Sequence, residues 1–355
     1  MTGNQINNKL NILLTGGAGF IGVHTLISLI DNGFNPIVLD NLSNSCPSGI
    51  KRVEEIKSRP IKFYKGDIRD ASILKEIFST NEIKGVIHFA GLKAVGESCE
   101  DPYLYYDNNV IGTLILIKEM ENAGITNLVF SSSATVYGDP LTLPIKEDAQ
   151  LFPSNPYGQT KLMVEKICFD ISNRKYTQHE KNWKIALLRY FNPIGAHESG
   201  FIGEDPKDVP NNLMPYISQV ASGKLKYLSI YGDDYKTRDG TGVRDYIHVM
   251  DLAEGHVAAL NWIIRCKDNR PICKAINLGT GKGTSVLELV NLFEKETGIN
   301  IDYKIKPRRS GDIAECYADP TFAKELLNWK SKKTISDMVS DAWKWQRMNP
   351  NGYEE

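Results

Sequence analysis

Asn11-Ile-Leu-Leu-Thr-Gly-Gly-Ala-Gly-Phe-Ile-Gly22 decides how the N-terminal half folds. Leu10, Ile12, Leu13 and Leu14 form a short apolar run that stops abruptly, the pattern of a buried strand. Gly16, Gly19 and Gly22 follow, and then a helical apolar run through Val23, Leu26, Ile27 and Ile30. A side chain at Gly16 would obstruct the tight turn, and one at Gly22 would push the helix off the strand. One at Gly19 would hold a pyrophosphate away from the backbone. The helix start offers N–H groups and a positive dipole end to phosphates. No Gly-Lys-Ser/Thr follows, so the turn is not a nucleoside-triphosphate loop.

Working outward, Asn35-Pro-Ile-Val-Leu-Asp40 reads as a second strand ending in a carboxylate. Asp40 there accepts hydrogen bonds from the two adenosine ribose hydroxyls and repels a 2′-phosphate, which favours NAD over NADP. The other reading of Asp40 is a helix N-cap. Further strand-like runs fall at 61–65, 85–90, 127–132 and 184–190, with helical patterns near 47–58, 70–80, 101–123 and 155–174. Strand–helix alternation predicts an α/β fold, a Rossmann-type doubly wound parallel sheet. Its ligands gather beyond the carboxyl ends of the strands, where Asp67, Ile68, Phe89 to Lys93, Ser131 to Ser133 and Phe191 to Pro193 stand.

A chain of 355 residues exceeds one comfortable core and predicts two domains. We expect residues 1–192 to form the cofactor-binding domain, with segments near 243–278 returning to it. Residues 193–355 then form a smaller α/β substrate-binding lobe. Residues 194–240 read as long loops with short helices, followed by strands at 243–249 and 275–278 around a helix at 251–265. A helix near 285–297, a strand at 301–305 and helices near 320–328 and 333–348 complete the chain.

A formal charge of −1 gives no electrostatic reason to expect nucleic acid or an anionic membrane. No window approaches the apolar length of a membrane span, and the polar first ten residues do not read as a signal peptide. Six cysteines without short paired spacing support neither a metal site nor a disulfide framework, and fit the cytoplasm.

Ser154-Asn155-Pro156-Tyr157-Gly-Gln-Thr-Lys161 reads as a helix start with Asn155 as N-cap and Pro156 first. Tyr157 and Lys161 lie one turn apart on one face. To act as general base, a tyrosine needs its pKa of roughly 10 to fall to about 7, which is about 4 kcal/mol. A nearby ammonium and an oxidised nicotinamide in a dry site supply the means. Ser133 could hold the same substrate hydroxyl. Met163, Ile167 and Ile171 read as a separate apolar stripe, leaving the Tyr–Lys face free; a solvated pair is the alternative.

These marks resemble the extended short-chain dehydrogenase/reductase superfamily: a Gly-x-x-Gly-x-x-Gly turn, a Ser and Tyr-x-x-x-Lys. Within it the chain resembles the UDP-glucose (UDP-galactose) 4-epimerase family. The resemblance is carried by 15–22, His88 to Val95, Ser131 to Gly138, Pro156 to Lys161, Arg189 to Pro193, Asn211 to Pro215, Gly240 to Val249 and Arg308 to Asp312, and runs from residue 10 to about 347. It implies a catalytic set of Ser133, Tyr157 and Lys161. It implies NAD contacts from Gly16, Gly19, Phe20, Ile21, Gly22, Asp40, Asn41, Asp67, Ile68, Phe89, Ala90, Gly91, Lys93, Asn108 and Phe191, besides Tyr157 and Lys161. It places the UDP-hexose on Asn192, Asn212, Leu213, Tyr231, Arg244, Tyr246, Arg309 and Asp312, with Lys93, Ser133, Tyr157 and Cys316 at the sugar. Two guanidiniums suit a diphosphate, although Arg308-Arg309 alone would read as an exposed surface pair.

In the resembling enzymes the position of Cys316 lines the sugar pocket, and a small residue leaves room for an N-acetyl group. A small buried core residue is the other reading of Cys316. The family pairs helices 101–123 and 155–174 into a homodimer. A 4,6-dehydratase needs Asp-Glu beside the active-site Ser or Thr, and here Ser133-Ala134-Thr135 offers no carboxylate. A non-catalytic NAD-binding scaffold would not need Ser133, Tyr157 and Lys161 together.

Overall fold

The computed structural model describes residues 9–174, 182–206, 210, 212–268, 270–309 and 311–353. Asn211 and Ser310 of the quoted motifs, and most of the polar N-terminus, lie outside the described residues. The strands are β1 (Asn11–Thr15), β2 (Asn35–Asp40), β3 (Lys62–Lys65), β4 (Ile83–His88), β5 (Asn127–Ser133), β6 (Lys184–Tyr190), β7 (Asn192–Ile194), β8 (Leu228–Tyr231), β9 (Val243–His248), β10 (Ile272–Leu278), β11 (Gly283–Ser285), β12 (Tyr303–Lys306) and β13 (Glu315–Cys316). The helices are α1 (Phe20–Asp31), α2 (Pro47–Lys57), α3 (Ala71–Thr80), α4 (Val95–Glu100), α5 (Pro102–Tyr105), α6 (Gly112–Asn122), α7 (Pro156–Ser172), α8 (Leu213–Ala221), α9 (Val249–Arg265), α10 (Val286–Thr297), α11 (Thr321–Leu327) and α12 (Ile335–Met348).

Seven parallel strands run in the order β10-β6-β5-β4-β1-β2-β3. Side chains alternate across the sheet. Ile12, Leu14, Val38, Ile87 and Leu188 enter one core, and Leu13, Ile37, Leu39, Val86 and Leu187 the other. Both faces are therefore covered, the condition for a parallel sheet. Order reverses between β1 and its neighbours β2 and β4, opening the crevice where ligands bind such folds. Among the described residues no helix is long and apolar enough to cross a membrane.

The helical pattern expected over 101–123 is interrupted by a π-turn at Tyr106–Ile111, between α5 and α6. Of the segments near 243–278, β10 lies at the edge of the seven-stranded sheet and α9 packs on α1. β9 stays apart, joining β7, β11 and β13 in a small mixed sheet. Beside that sheet, β8 pairs with β12 over a core of Met214, Ile217, Leu228, Ile230, Phe293 and Val339. Arg52 of α2 ties in the C-terminal segment, its guanidinium lying 4.9 Å from the Tyr353 ring and 5.5 Å from Trp345.

Candidate active site

The glycine turn joins β1 to α1, and its glycines answer to different constraints. Gly16 has φ +69°, and a Cβ there would lie 2.6 Å from the Ala90 nitrogen. At Gly22 a Cβ would lie 2.6 Å from the Gly17 carbonyl oxygen. Gly19 differs: a Cβ would meet nothing nearer than the Gly16 oxygen at 3.4 Å, an ordinary contact. The protein itself does not require glycine at 19. Gly19 caps α1 with no side-chain hydrogen bond, so Phe20, Ile21 and Gly22 present a first turn without side-chain acceptors. Space beside bare helix N–H groups fits a pyrophosphate.

Asp40 ends β2 and is 8% exposed. Its carboxylate accepts from Ala18 N at 3.0 Å, Leu42 N at 2.9 Å and the Ser45 hydroxyl at 2.9 Å, bracing the turn. It caps no helix, since Cys46 is the N-cap of α2. Asn41 donates to Asp67 at 2.9 Å, and Arg69 beside Asp67 holds that carboxyl well below the usual range. Ile68 is buried next to them.

Past β4, the Phe89 ring lies 4.7 Å from that of His256, and Ala90 packs on the sheet core. A Cβ on Gly91 would lie 3.6 Å from Lys161 Nζ, so this loop borders the Tyr–Lys helix. Asn108 donates to Asn109 at 2.9 Å. Asn109, which the sequence did not single out, fixes the loop by taking Leu92 N at 2.8 Å and giving to Leu92 O at 3.0 Å. Asn109 lies in the π-turn, a feature that gathers at functional sites and that the sequence does not display.

Asn155 caps α7 by accepting from Gly158 N at 2.9 Å, with Pro156 in the first turn. Tyr157 is half-buried, and Lys161 is buried with Nζ donating to the Ser131 carbonyl at 2.8 Å. The ammonium stands 5.8 Å from the centre of the Tyr157 ring. Burial raises the Tyr157 phenol, and a hydrogen bond with Ser133 acts in the opposite direction. Within the chain burial prevails and the phenol stands above its ordinary value; the expected acidification counts on an oxidised nicotinamide as well as on the Lys161 ammonium. Ser133 also accepts from Thr135 N at 3.2 Å and from its hydroxyl at 2.9 Å. Of the apolar stripe, Ile167 and Ile171 pack against the core as expected, while Met163 is exposed; the Lys161 face is not left free, because it carries Val164 and Cys168 into the core.

The small sheet sets a second group opposite. Asn192 and Tyr246 are register partners, as are Arg244 and Cys316. Arg244 donates to Val243 O at 2.9 Å, and burial pushes Tyr246 up to about 12. The Arg309 guanidinium lies 4.9 Å from the Tyr231 ring centre and donates to Asp312 at 2.9 Å. Arg308 instead pairs with Asp234 at 2.7 Å. Leu213 opens α8 after Asn212, whose amide donates to Glu204 at 2.7 Å; Lys93 stands 3.6 Å from the same carboxylate. Glu204, in a loop without periodicity, thus joins the sheet rim to the smaller lobe, and nothing in its sequence context marked it. Cys316 is buried with Ala134, Tyr137, Leu162 and Phe191, its thiol pushed up to about 12 by burial. Among the described residues no cluster could hold a metal ion.

A parallel sheet with this glycine turn, and a Tyr-x-x-x-Lys helix touching a serine at its rim, define a short-chain dehydrogenase/reductase of the extended type. The family model described as GDP-mannose 4,6 dehydratase matches residues 13–342. UDP-glucose 4-epimerase of Bacillus subtilis (strain 168) is 54% identical over 343 residues, 97% of this chain and 98% of the relative. That of Haemophilus influenzae is 55% identical over 345 residues, covering 97% and 99%. The crystal structure of UDP-glucose 4-epimerase from Bifidobacterium longum in complex with NAD+ and UDP superimposes with a TM-score of 0.91 at 52% identity, covering 96% of this chain and 99% of that one. The chain belongs to the UDP-glucose 4-epimerase family.

Lys161 makes a testable difference to stability. Burial lowers its pKa from 10.5 to about 8. Between those values the unfolded chain binds the extra proton, so stability rises with pH across the window. Relative to Lys161→Met, denaturant unfolding of the parent should gain up to about 3 kcal/mol from pH 8 to 10.5. A constant difference would show that the ammonium is not desolvated.

Proposed function

We propose that the chain interconverts UDP-glucose and UDP-galactose, and also UDP-N-acetylglucosamine and UDP-N-acetylgalactosamine, by transient oxidation at sugar C4. The observation that carries this is the meeting of Tyr157, Ser133 and the Lys161 ammonium at the rim beside the glycine turn. NAD suits the turn and Asp40, and when bound it supplies the acceptor and donor of two electrons at C4. Gly16, Gly19, Gly22, Asp40 and the Phe89–Lys93 loop would hold it. Tyr157 takes the proton of the 4-hydroxyl and later returns it, with Ser133 orienting that hydroxyl. Lys161 keeps a positive charge beneath them and lowers the cost of the phenolate.

The sugar ring must turn between the two half-reactions, so binding has to rest on the nucleotide. Arg244, Arg309, Tyr231 and Tyr246 belong to the smaller lobe, Asn192 is the register partner of Tyr246, and together they would serve it. Replacing Tyr157 by Phe should lower kcat by about 10²- to 10⁴-fold with NAD content unchanged; a turnover assay with UDP-galactose beside a cofactor scan checks this. Near-normal turnover would remove Tyr157 from its role. A dehydratase reading is disfavoured because Thr135, and no carboxylate, bonds Ser133.

Cys316 is buried in the apolar cluster of Ala134 and Phe191, and at the sugar wall a side chain this small would leave room for an N-acetyl group. Cys316→Tyr should depress kcat/KM for UDP-N-acetylgalactosamine at least tenfold more than for UDP-galactose (about 1.4 kcal/mol of discrimination). Equal losses on both would refute this.

The assembly we propose is a homodimer in the cytoplasm. Ile111, Leu114, Met163 and Phe169 are exposed on the π-turn, α6 and α7, an apolar face such as a second copy covers. A chain whose cysteines are joined by no disulfide among the described residues suits a reducing compartment. Sedimentation should give a dimer that Phe169→Glu with Ile111→Glu splits; a monomeric parent would overturn it.

A further inference from the structure

Three consecutive residues of β5 hold three side chains spaced one turn apart on α7. Lys161 Nζ donates to Ser131 O at 2.8 Å, the Ser132 hydroxyl donates to Glu165 at 2.5 Å, and Ser133 meets Tyr157. Tyr157, Lys161 and Glu165 are i, i+4 and i+8, so they lie on one helix face and lean back toward its N-terminus. The Glu165 carboxylate is then engaged from the neighbouring strand. Arg189, the register partner of Ser132 on β6, donates through Nε at 2.9 Å and Nη2 at 2.6 Å. Both charged side chains are almost fully buried, at 2% and 1% exposure. The remaining Arg189 nitrogen donates to the Tyr137 hydroxyl at 3.0 Å and to Glu147 O at 3.0 Å. Tyr137 packs in the cluster of Cys316 and Phe191.

We propose that Glu165 is a positioning residue for the epimerase reaction: through Ser132 and Arg189 it sets the height of α7 over the sheet rim, and so where the Tyr157 hydroxyl stands relative to Ser133 and the sugar-side wall. This rests on the assignment of Tyr157 as the proton acceptor. An apolar contact would permit the helix to slide along the strand by fractions of a turn. A bidentate pair joined to a hydroxyl of β5 has one register only. Misplacing a reacting group by about 1 Å can cost on the order of 10² in rate, so a small change of reach should be read in turnover.

Two variants separate positioning from bulk stability. Glu165→Asp keeps the buried charge and shortens its reach by one methylene. Ser132→Ala leaves the ion pair whole and removes only its link to β5. For each, kcat, KM and the UDP dissociation constant are measured on NAD-loaded enzyme. The Tyr157 phenol is titrated by ultraviolet difference against a Tyr157→Phe background. The expected result is a kcat lowered about 10- to 10²-fold, with UDP affinity and NAD content unchanged and the phenol titration displaced. Unchanged kcat and titration, or kcat and UDP affinity falling in parallel, would overturn the proposal. If Glu165→Asp does not fold, Ser132→Ala decides alone. A parent enzyme inactive on every UDP-sugar would sink the functional reading instead, and the phenol titration would still decide the positioning.

Discussion

Lys161 carries an ammonium into the interior and rests it on the Ser131 carbonyl at 2.8 Å, and the rim of the sheet is arranged around that charge. A buried lysine is expensive: burial drags its pKa down to about 8. The cost is limited by the carbonyl and by the Phe130 ring, whose centre lies 5.0 Å from Nζ. What the burial secures is a positive charge 5.8 Å from the Tyr157 ring centre, where the proposed reaction would form a phenolate. The phenol remains protonated in the chain alone, because burial outweighs its bond to Ser133.

The close approach of α1 to the sheet has a similar logic. Gly22 is held against the Gly17 carbonyl and Gly16 against Ala90, while Gly19 leaves open space that the fold itself does not use. The first two glycines build the turn and the third keeps room for a guest. Opposite them, the smaller lobe puts Arg244 and Cys316 side by side in register, so the nucleotide anchor and the sugar wall we propose share one short sheet. Asp245 between Arg244 and Tyr246 stitches that sheet to the 279–281 turn and to Ala318, accepting from Thr280, Gly281 and Ala318 backbone nitrogens at 2.9, 3.0 and 3.1 Å. The sheet that carries these two residues is thereby braced from the 279–281 turn and from Ala318.

The parts of this arrangement legible in the sequence were those with a local physical signature. β6 spans Lys184–Tyr190 as its apolar run predicts, and the α7 start follows from Asn155-Pro156. The Tyr157–Lys161 spacing and Ser133 pointed to side chains that the fold does bring together. What was not legible depended on distant partners. The π-turn at Tyr106–Ile111 has the composition of an ordinary helix, and Asn109 acquires its task only when Leu92 comes alongside. Glu204 stands in a loop whose meaning is set by Lys93 and Asn212. Met163 shares a helix periodicity with Ile167 and still faces outward, because the face of α7 that packs is chosen by the burial of Lys161 and Glu165, both polar. Hydrophobic periodicity misleads where a helix buries its charges.

That choice of face raises the question of why charges are buried there at all. Replacing a buried ion pair with apolar residues of similar volume is often neutral or stabilising by about 1–4 kcal/mol, so Glu165–Arg189 is a weak candidate for a stabilising device. The pair is distinguished by direction: the Glu165 oxygens take Ser132 on β5 and Arg189 on β6, and Arg189 continues to Tyr137, whose hydroxyl donates to Asn277 of β10 at 2.7 Å. One helix is thus referenced to three adjacent strands at the level of Ser133. Dispersion contacts fall off gently with displacement and would tolerate small slips of α7. Hydrogen bonds of fixed geometry do not, and a reaction that must address both faces of one sugar carbon needs its base held in a single place.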